Sequence, residues 1–295
     1  RLADMSPRIS ILMYHQVGDF APMEAHRANY CDHRRFARQM GFLHALGYEV
    51  LDLDGALAGL RGERPLAARS LVLTFDDGYD NFADHALPIL ARYGFTATVY
   101  AISGWLGQLI QWYGQEPGRA RPRLMDAGRL REIQAAGMTI GSHTARHARL
   151  AELDPESQRQ ELTRSKADLE DLLGTPVRHL CYPFGSFNRN TVRAAREAGY
   201  ISATTCLRGA ATAVDHPLIL PRKAISFGDN LLGYWWKLIM KDAPQPAHQG
   251  DGHHRLHDRA GVRGVVRAGA LPAQRRGRPG YLRAHGAPRP LRHRD

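Results

Sequence analysis

Short apolar runs alternating with longer stretches of helical spacing constrain this chain more than any other feature. The runs fall at 9–14, 71–75, 96–101, 138–142, 177–182, 201–205 and 218–220, and most carry the β-branched and aromatic residues that suit strands. Helical patterns fill 36–46, 82–93, 129–136 and 155–173. The last is the clearest. Asp154 is placed to cap it, Pro155 takes the first helical position, Leu162, Leu169, Leu172 and Leu173 form the apolar stripe, and Gly174 ends it. Strand runs alternating with helical patterns predict parallel β/α units rather than hairpins.

Chemistry-bearing residues cluster just after three of the strands, where α/β folds place their sites. The run 71–75 leads into Thr74-Phe75-Asp76-Asp77-Gly78, two adjacent carboxylates at a glycine turn. Such a pair can divide labour, one carboxylate binding a metal while its differently solvated neighbour acts as a base. The run 138–142 leads into Ser142-His143-Thr144-Ala145-Arg146-His147, whose two imidazoles lie close enough in sequence to hold one ion. The third is the tight turn Cys181-Tyr182-Pro183-Phe184-Gly185. Alone, Asp-Asp-Gly is also a common turn, and His-x-x-x-His is also a pair of surface histidines. The combination after successive strands is what points to a site.

These three motifs, in this order, resemble those of the polysaccharide deacetylases, the NodB-homology or carbohydrate esterase family 4 group. The resemblance runs from about Arg8 to about Phe227 and implies a distorted (β/α)7 barrel, with residues 8–240 as one catalytic domain. It implies Asp77, His143 and His147 as ligands of one divalent metal ion, zinc first, with cobalt or nickel as alternatives. It makes Asp76 the general base and the backbone N–H of Tyr182 an oxyanion donor. The implied reaction is hydrolysis of N-acetyl groups on an N-acetylated glycan. The start Met13-Tyr14-His15-Gln16-Val17 resembles the branch acting on poly-N-acetylglucosamine, in which an early histidine is the acid. His15 is therefore the expected acid and His216 the alternative, with an ordinary core or loop histidine the plain reading of each. The arginine that this family usually carries before the Pro is missing from His179-Leu180-Cys181-Tyr182, and Arg222 of Leu220-Pro221-Arg222 is the expected substitute beside Asp76. Two other readings stay open: hydrolysis of a different C–N amide, and a non-catalytic carbohydrate-binding relic of the same fold.

A loop between Gly104 and Arg123 carries Trp105, Trp112 and Tyr113, suited to stacking on sugar rings or to packing over the barrel edge. Tyr234-Trp235-Trp236, with Leu231, Leu232 and Leu238, reads as the apolar face of a last helix. Beyond Met240 the character changes. Residues 241–295 hold 12 Lys and Arg against 4 Asp and no Glu, +8 of the chain's +11, with no Ile, Phe, Met or Trp. A stretch so poor in apolar residues is expected to be disordered or poorly packed, and its composition resembles GC-rich DNA read out of frame. Its histidines, His253, His254 and His257, are accordingly not read as a metal site, and the basic charge is not read as a nucleic-acid signal. Cys31, Cys181 and Cys206 form no disulfide framework. No run reaches the roughly 18 apolar residues of a membrane span. With no signal peptide before the first strand and Met5 a plausible start, a cytoplasmic location is expected, or a periplasmic or extracellular one if a leader is missing. Oligomeric state is not legible.

Overall fold

The computed structural model describes residues 7–22, 26–112 and 121–239. The expectations for Tyr113 and for 241–295 lie outside them. Seven parallel strands form a closed barrel: β1 (Arg8–Tyr14), β2 (Ser70–Phe75), β3 (Thr98–Ala101), β4 (Thr139–Ser142), β5 (His179–Cys181), β6 (Ser202–Arg208) and β7 (Leu220–Ala224). Each pairs with the next in chain order, and β1 closes the ring between β2, with Ser10 opposite Leu71 and Tyr14 opposite Phe75, and β7, with Leu12 opposite Lys223. The register slips between Leu220 and Arg222 in the β6–β7 pairing, one source of the barrel's irregular outline. Glu49–Leu51 adds a short parallel pairing on β2 outside the ring.

Among the described residues, seven α-helices accompany the strands: α1 (His33–Ala45), α2 (Leu53–Leu60), α3 (Leu87–Tyr93), α4 (Ala127–Ala135), α5 (Pro155–Leu173), α6 (Arg189–Glu197) and α7 (Leu231–Ile239). In α5, Asp154 accepts from the N–H groups of Glu156 and Ser157, and Gly174 leaves the helix at φ 66. The pleat sorts the strand residues in two. Leu12, Tyr14, Leu71, Leu73, Phe75 and Val99 pack outward with helix residues such as Phe36, Leu90 and Leu162. Ile9, Ile11, Val72, Tyr100, Cys181 and Leu220 belong to a separate cluster with α2 and the barrel interior. Close approach inside the barrel requires Gly141: a Cβ there would lie 2.5 Å from the Tyr100 ring.

Three expectations need correction. The last strand is β7 at Leu220–Ala224, not 218–220, because the stretch before it is a turn in which Ile219 N–H bonds to His216 O. The helix expected over 82–93 begins with a wide π-helical turn, Phe82–Ala86, before α3. In α7 the apolar face is narrower than its sequence suggests: Tyr234 is fully buried, whereas Trp236 is 55% and Leu232 70% exposed. Trp105 and Trp112 pack with Tyr79, Ile102, Ile110 and Leu124, so the loop after β3 has a small core of its own.

Candidate active site

Parallel strands deliver all their C-terminal ends to one rim, and the expected residues meet there around a cavity of about 460 Å³. Asp76 is the next residue past β2. Its N–H still bonds to Tyr14 O at 2.9 Å, which sets the carboxylate beside His15, the residue after β1. Arg222 of β7 reaches across the interior and grips both Asp76 oxygens, Nη1 to Oδ1 at 2.6 Å and Nη2 to Oδ2 at 2.7 Å. Its Nε bonds to Thr205 O at 2.9 Å and Nη1 also to the Thr74 hydroxyl, so the guanidinium is fixed on every side. Cys181, where the family's usual arginine is missing, accepts from Arg222 Nη2 at 3.1 Å. Burial pushes the Asp76 carboxyl up, but the charge and hydrogen bonds of Arg222 outweigh it and hold the group below the usual carboxylate range. His15 Nε2 stands 3.9 Å from Asp76 Oδ2, and its side chain is 16% exposed, at the cavity wall.

Asp77 faces a different set. The backbone turns through φ 73 there and brings Oδ1 within 3.2 Å of both His143 Nε2 and His147 Nε2. Thr144 and His147 also have positive φ, at 67 and 58, so the loop after β4 is strained at non-glycine residues on both sides of the site. Glu161 of α5 holds that loop in place. Its carboxylate, 1% exposed, accepts from the N–H groups of Ala145 and Arg146 and from Arg146 Nε. Nothing in the sequence marked Glu161, because it lies on the inner face of a helix read for its leucines; the signal available was a glutamate amid that apolar face.

The donors fit a cation. His143 Nδ1 lies 2.8 Å from Cys181 O, a carbonyl that can only accept, so Nδ1 carries a proton and Nε2 is the ring nitrogen turned toward Asp77. The 3.2 Å approach of that nitrogen to the carboxylate oxygen calls for a proton on Nε2 or a cation held by both atoms. Ligand atoms around zinc at about 2.0–2.2 Å lie a little over 3 Å apart in a tetrahedron, and the two separations of 3.2 Å from Asp77 Oδ1 to the histidine nitrogens match that spacing. Asp76, His143 and Cys181 are a second group whose potential ligand atoms lie within 4.8 Å. Arg222, however, already occupies both Asp76 oxygens, which leaves Asp77 as the carboxylate free to ligate.

Two residues named from the sequence, Tyr182 and the alternative acid His216, are not among those lining the cavity. Tyr182 N–H donates to Thr204 O at 3.2 Å in the β5–β6 pairing, while its ring faces Phe187 and its hydroxyl donates to Leu218 O. The alternation that sends Cys181 inward sends Tyr182 outward. The turn residue that does line the cavity is Phe184, at φ 58. His216 precedes β7, at the opposite end of the barrel, where Nδ1 accepts from Leu218 N–H and Nε2 lies 3.1 Å from Arg196. Of the two histidines, His15 lines the cavity and His216 does not. Trp112, unassigned by the sequence between stacking and packing, lies with its ring centroid 4.3 Å from that of His147.

Residues 63–203 match the family model described as polysaccharide deacetylase. They form a polysaccharide deacetylase domain. His15 and Arg222 lie outside the matched stretch and are joined to it by the closed barrel. The polysaccharide-deacetylase homologue YxkH of Bacillus subtilis (strain 168) is 28% identical over 222 residues, 75% of this chain and 72% of that protein. A poly-beta-1,6-N-acetyl-D-glucosamine N-deacetylase of Escherichia coli (strain K12) is 32% identical over 68 residues, 23% of this chain and 10% of that protein. Among solved structures, the Streptococcus pyogenes deacetylase PplD in complex with acetate superposes with a TM-score of 0.69 at 26% identity, covering 79% of this chain and 99% of that one. The barrel is shared with the Streptococcus pyogenes deacetylase, and the candidate metal donors Asp77, His143 and His147 all lie inside the matched stretch.

Proposed function

We propose that this deacetylase is a metal-dependent hydrolase that removes N-acetyl groups from an N-acetylated polysaccharide or its precursor, with residues 8–240 as the catalytic domain. The observation that carries the reading is the division of two adjacent carboxylates: Asp77 in a three-donor set with His143 and His147, Asp76 clamped by Arg222. A donor set of two imidazoles and one carboxylate suits zinc, with cobalt or nickel as alternatives, and leaves coordination positions open. A divalent ion held there supplies Lewis acidity to the amide carbonyl and acidifies water.

The protein's own residues perform the proton transfers. Arg222 keeps Asp76 ionised and fixes its orientation, so that the carboxylate is ready to take a proton from the attacking water. His15, on the same wall and within 3.9 Å of Asp76, is the residue to protonate the departing amine. Carbon–nitrogen cleavage then yields acetate and a free amino sugar. Trp112 and Phe184 close over the His147 ring, with centroids at 4.3 and 4.6 Å, and exclude water from that side of the site. The test is acetate release from N-acetylglucosamine oligomers by zinc-loaded protein. Release that is lost in Asp76→Asn supports the reading; no release from any N-acetylated glycan, with the metal bound, rejects it.

A further inference from the structure

Two arginines leave the loop after β4 and meet different fates. Arg146 is tied to the buried Glu161 carboxylate. Arg149 lines the cavity and lies over the Phe184 ring, its Cζ 4.1 Å from the centroid, and among the described residues its side chain has no hydrogen bond or ion pair. Stacking of this kind fixes a guanidinium's plane through its face and leaves the in-plane N–H donors for another partner. The carboxylates that line the same cavity are Asp76 and Asp77. The first is neutralised by Arg222, and the second belongs to the metal donor set. The remaining polar wall near the mouth, His26 and Asn29, offers no negative charge. A ligand entering a cavity of about 460 Å³, room for a sugar and part of its neighbour, therefore meets, among the described residues, one unpaired, preoriented arginine and no free anion.

Resting on the deacetylase reading, we infer that the substrate is an anionic glycan: the N-acetylated sugar bears or adjoins a carboxylate or phosphate group, which Arg149 takes from its Phe184 shelf. A planar guanidinium binds either group through two parallel hydrogen bonds, and charge-assisted bonds of this type are roughly twice as strong as neutral ones. Arg149 acts in this account as a specificity determinant at the mouth, away from the reacting atoms.

The test uses three probes with the zinc-loaded chain: an N-acetylglucosamine tetramer, a tetrasaccharide alternating N-acetylglucosamine with glucuronic acid, and N-acetylglucosamine 6-phosphate. kcat and KM are read separately from acetate release, and binding of the same probes is read by calorimetry on chelator-treated protein, where turnover does not intervene. The expected result is a KM about tenfold lower for one of the charged probes than for the neutral one, a difference of about 1.4 kcal/mol. Which charged probe gains tells carboxylate from phosphate. Arg149→Gln should collapse the preference through KM rather than kcat, Arg149→Lys should restore part of it, and added salt should shrink it. Equal treatment of charged and neutral probes by wild type overturns the inference. So does an Arg149→Gln variant that loses kcat on all probes alike, since that would make Arg149 a support for Phe184. If wild type releases no acetate while Arg149-dependent binding of a charged probe persists, the deacetylase reading falls and the anion site stands.

Discussion

Asp76 and Asp77 are neighbours in the chain and opposites in how the protein holds them. Asp76 continues a strand, keeps a sheet hydrogen bond to Tyr14, and meets a guanidinium that is completely buried. Asp77 turns away at positive φ and meets two imidazoles carried by a strained loop, itself held by Glu161 from α5. One carboxylate is given a permanent counter-charge by the barrel. The other is left in need of one. In the proposed mechanism that difference, rather than the Asp-Asp-Gly motif alone, separates a base from a ligand: the clamped group stays ionised and rigid, and the unclamped one has an oxygen to spare for a metal.

The sharpest way to break the comparison is to remove the clamp. Arg222→Ala leaves Asp76 buried and unpaired, and urea unfolding should show a loss of about 3–5 kcal/mol. Adding Asp76→Asn to that variant should recover much of the loss, because the uncompensated charge goes with it. His15→Ala should leave metal content unchanged while slowing acetate release by about 10²–10⁴-fold, the usual contribution of a positioned acid; an unaltered rate would move the acid elsewhere. On the Asp77 side, Glu161→Gln keeps the shape but weakens the anchor for Ala145 and Arg146, and metal affinity by titration should fall by about 10–100-fold. The Asp76–Arg222 pair would be untouched, so the stability loss should be smaller than that of Arg222→Ala.

The smallest effect belongs to a carboxylate outside the site. Hydrogen bonding from His179, then from Arg178, holds the Asp54 carboxyl at about 2 against the cost of its partial burial. Its folded value is depressed, so its contribution to stability is present above the unfolded value of about 3.9 and is lost as pH falls from about 4 to about 2. With Asp54 43% exposed, solvent screens the interaction. Asp54→Asn should therefore lower stability at neutral pH by less than about 1 kcal/mol and flatten the acid limb of the unfolding curve. A loss as large as that of Arg222→Ala would show that burial is not what distinguishes the two ion pairs.

Much of this was legible in the sequence because the signals are local. The caps and stripe of α5 are written within its own residues, and the metal donors sit directly after strands whose apolar runs announce them. The short strand at Glu49–Leu51 and the helices α2 and α6 were not legible. The first holds three residues, α2 is short with two glycines, and α6 is half polar, stabilised by the Asn188–Thr191 capping box and by packing on α5. At the site, the Tyr182 N–H pairs with Thr204 O in the β5–β6 ladder, and which residue of Cys181-Tyr182-Pro183-Phe184 faces the cavity depends on where β5 ends. β5 stops at Cys181, so the side chains turn over between Cys181, inside, and Tyr182, outside. Glu161 was hidden for a tertiary reason: its partners are backbone N–H groups of a loop 15 and 16 residues away. The Arg222 contact spans 146 residues and depends on barrel closure, so a sequence can name the residue but not the distance.

The central claim is that the two adjacent carboxylates have separate tasks, and it is tested most directly by metal stoichiometry. Wild type, Asp76→Asn and His143→Ala would each be incubated with zinc, passed through gel filtration and assayed by elemental analysis. The account predicts about one ion per chain in wild type and in Asp76→Asn, with acetate release lost in the latter, and no specific ion in His143→Ala. Equal loss of the ion from Asp76→Asn and His143→Ala would contradict it, because Asp76 would then be holding the metal rather than taking the proton.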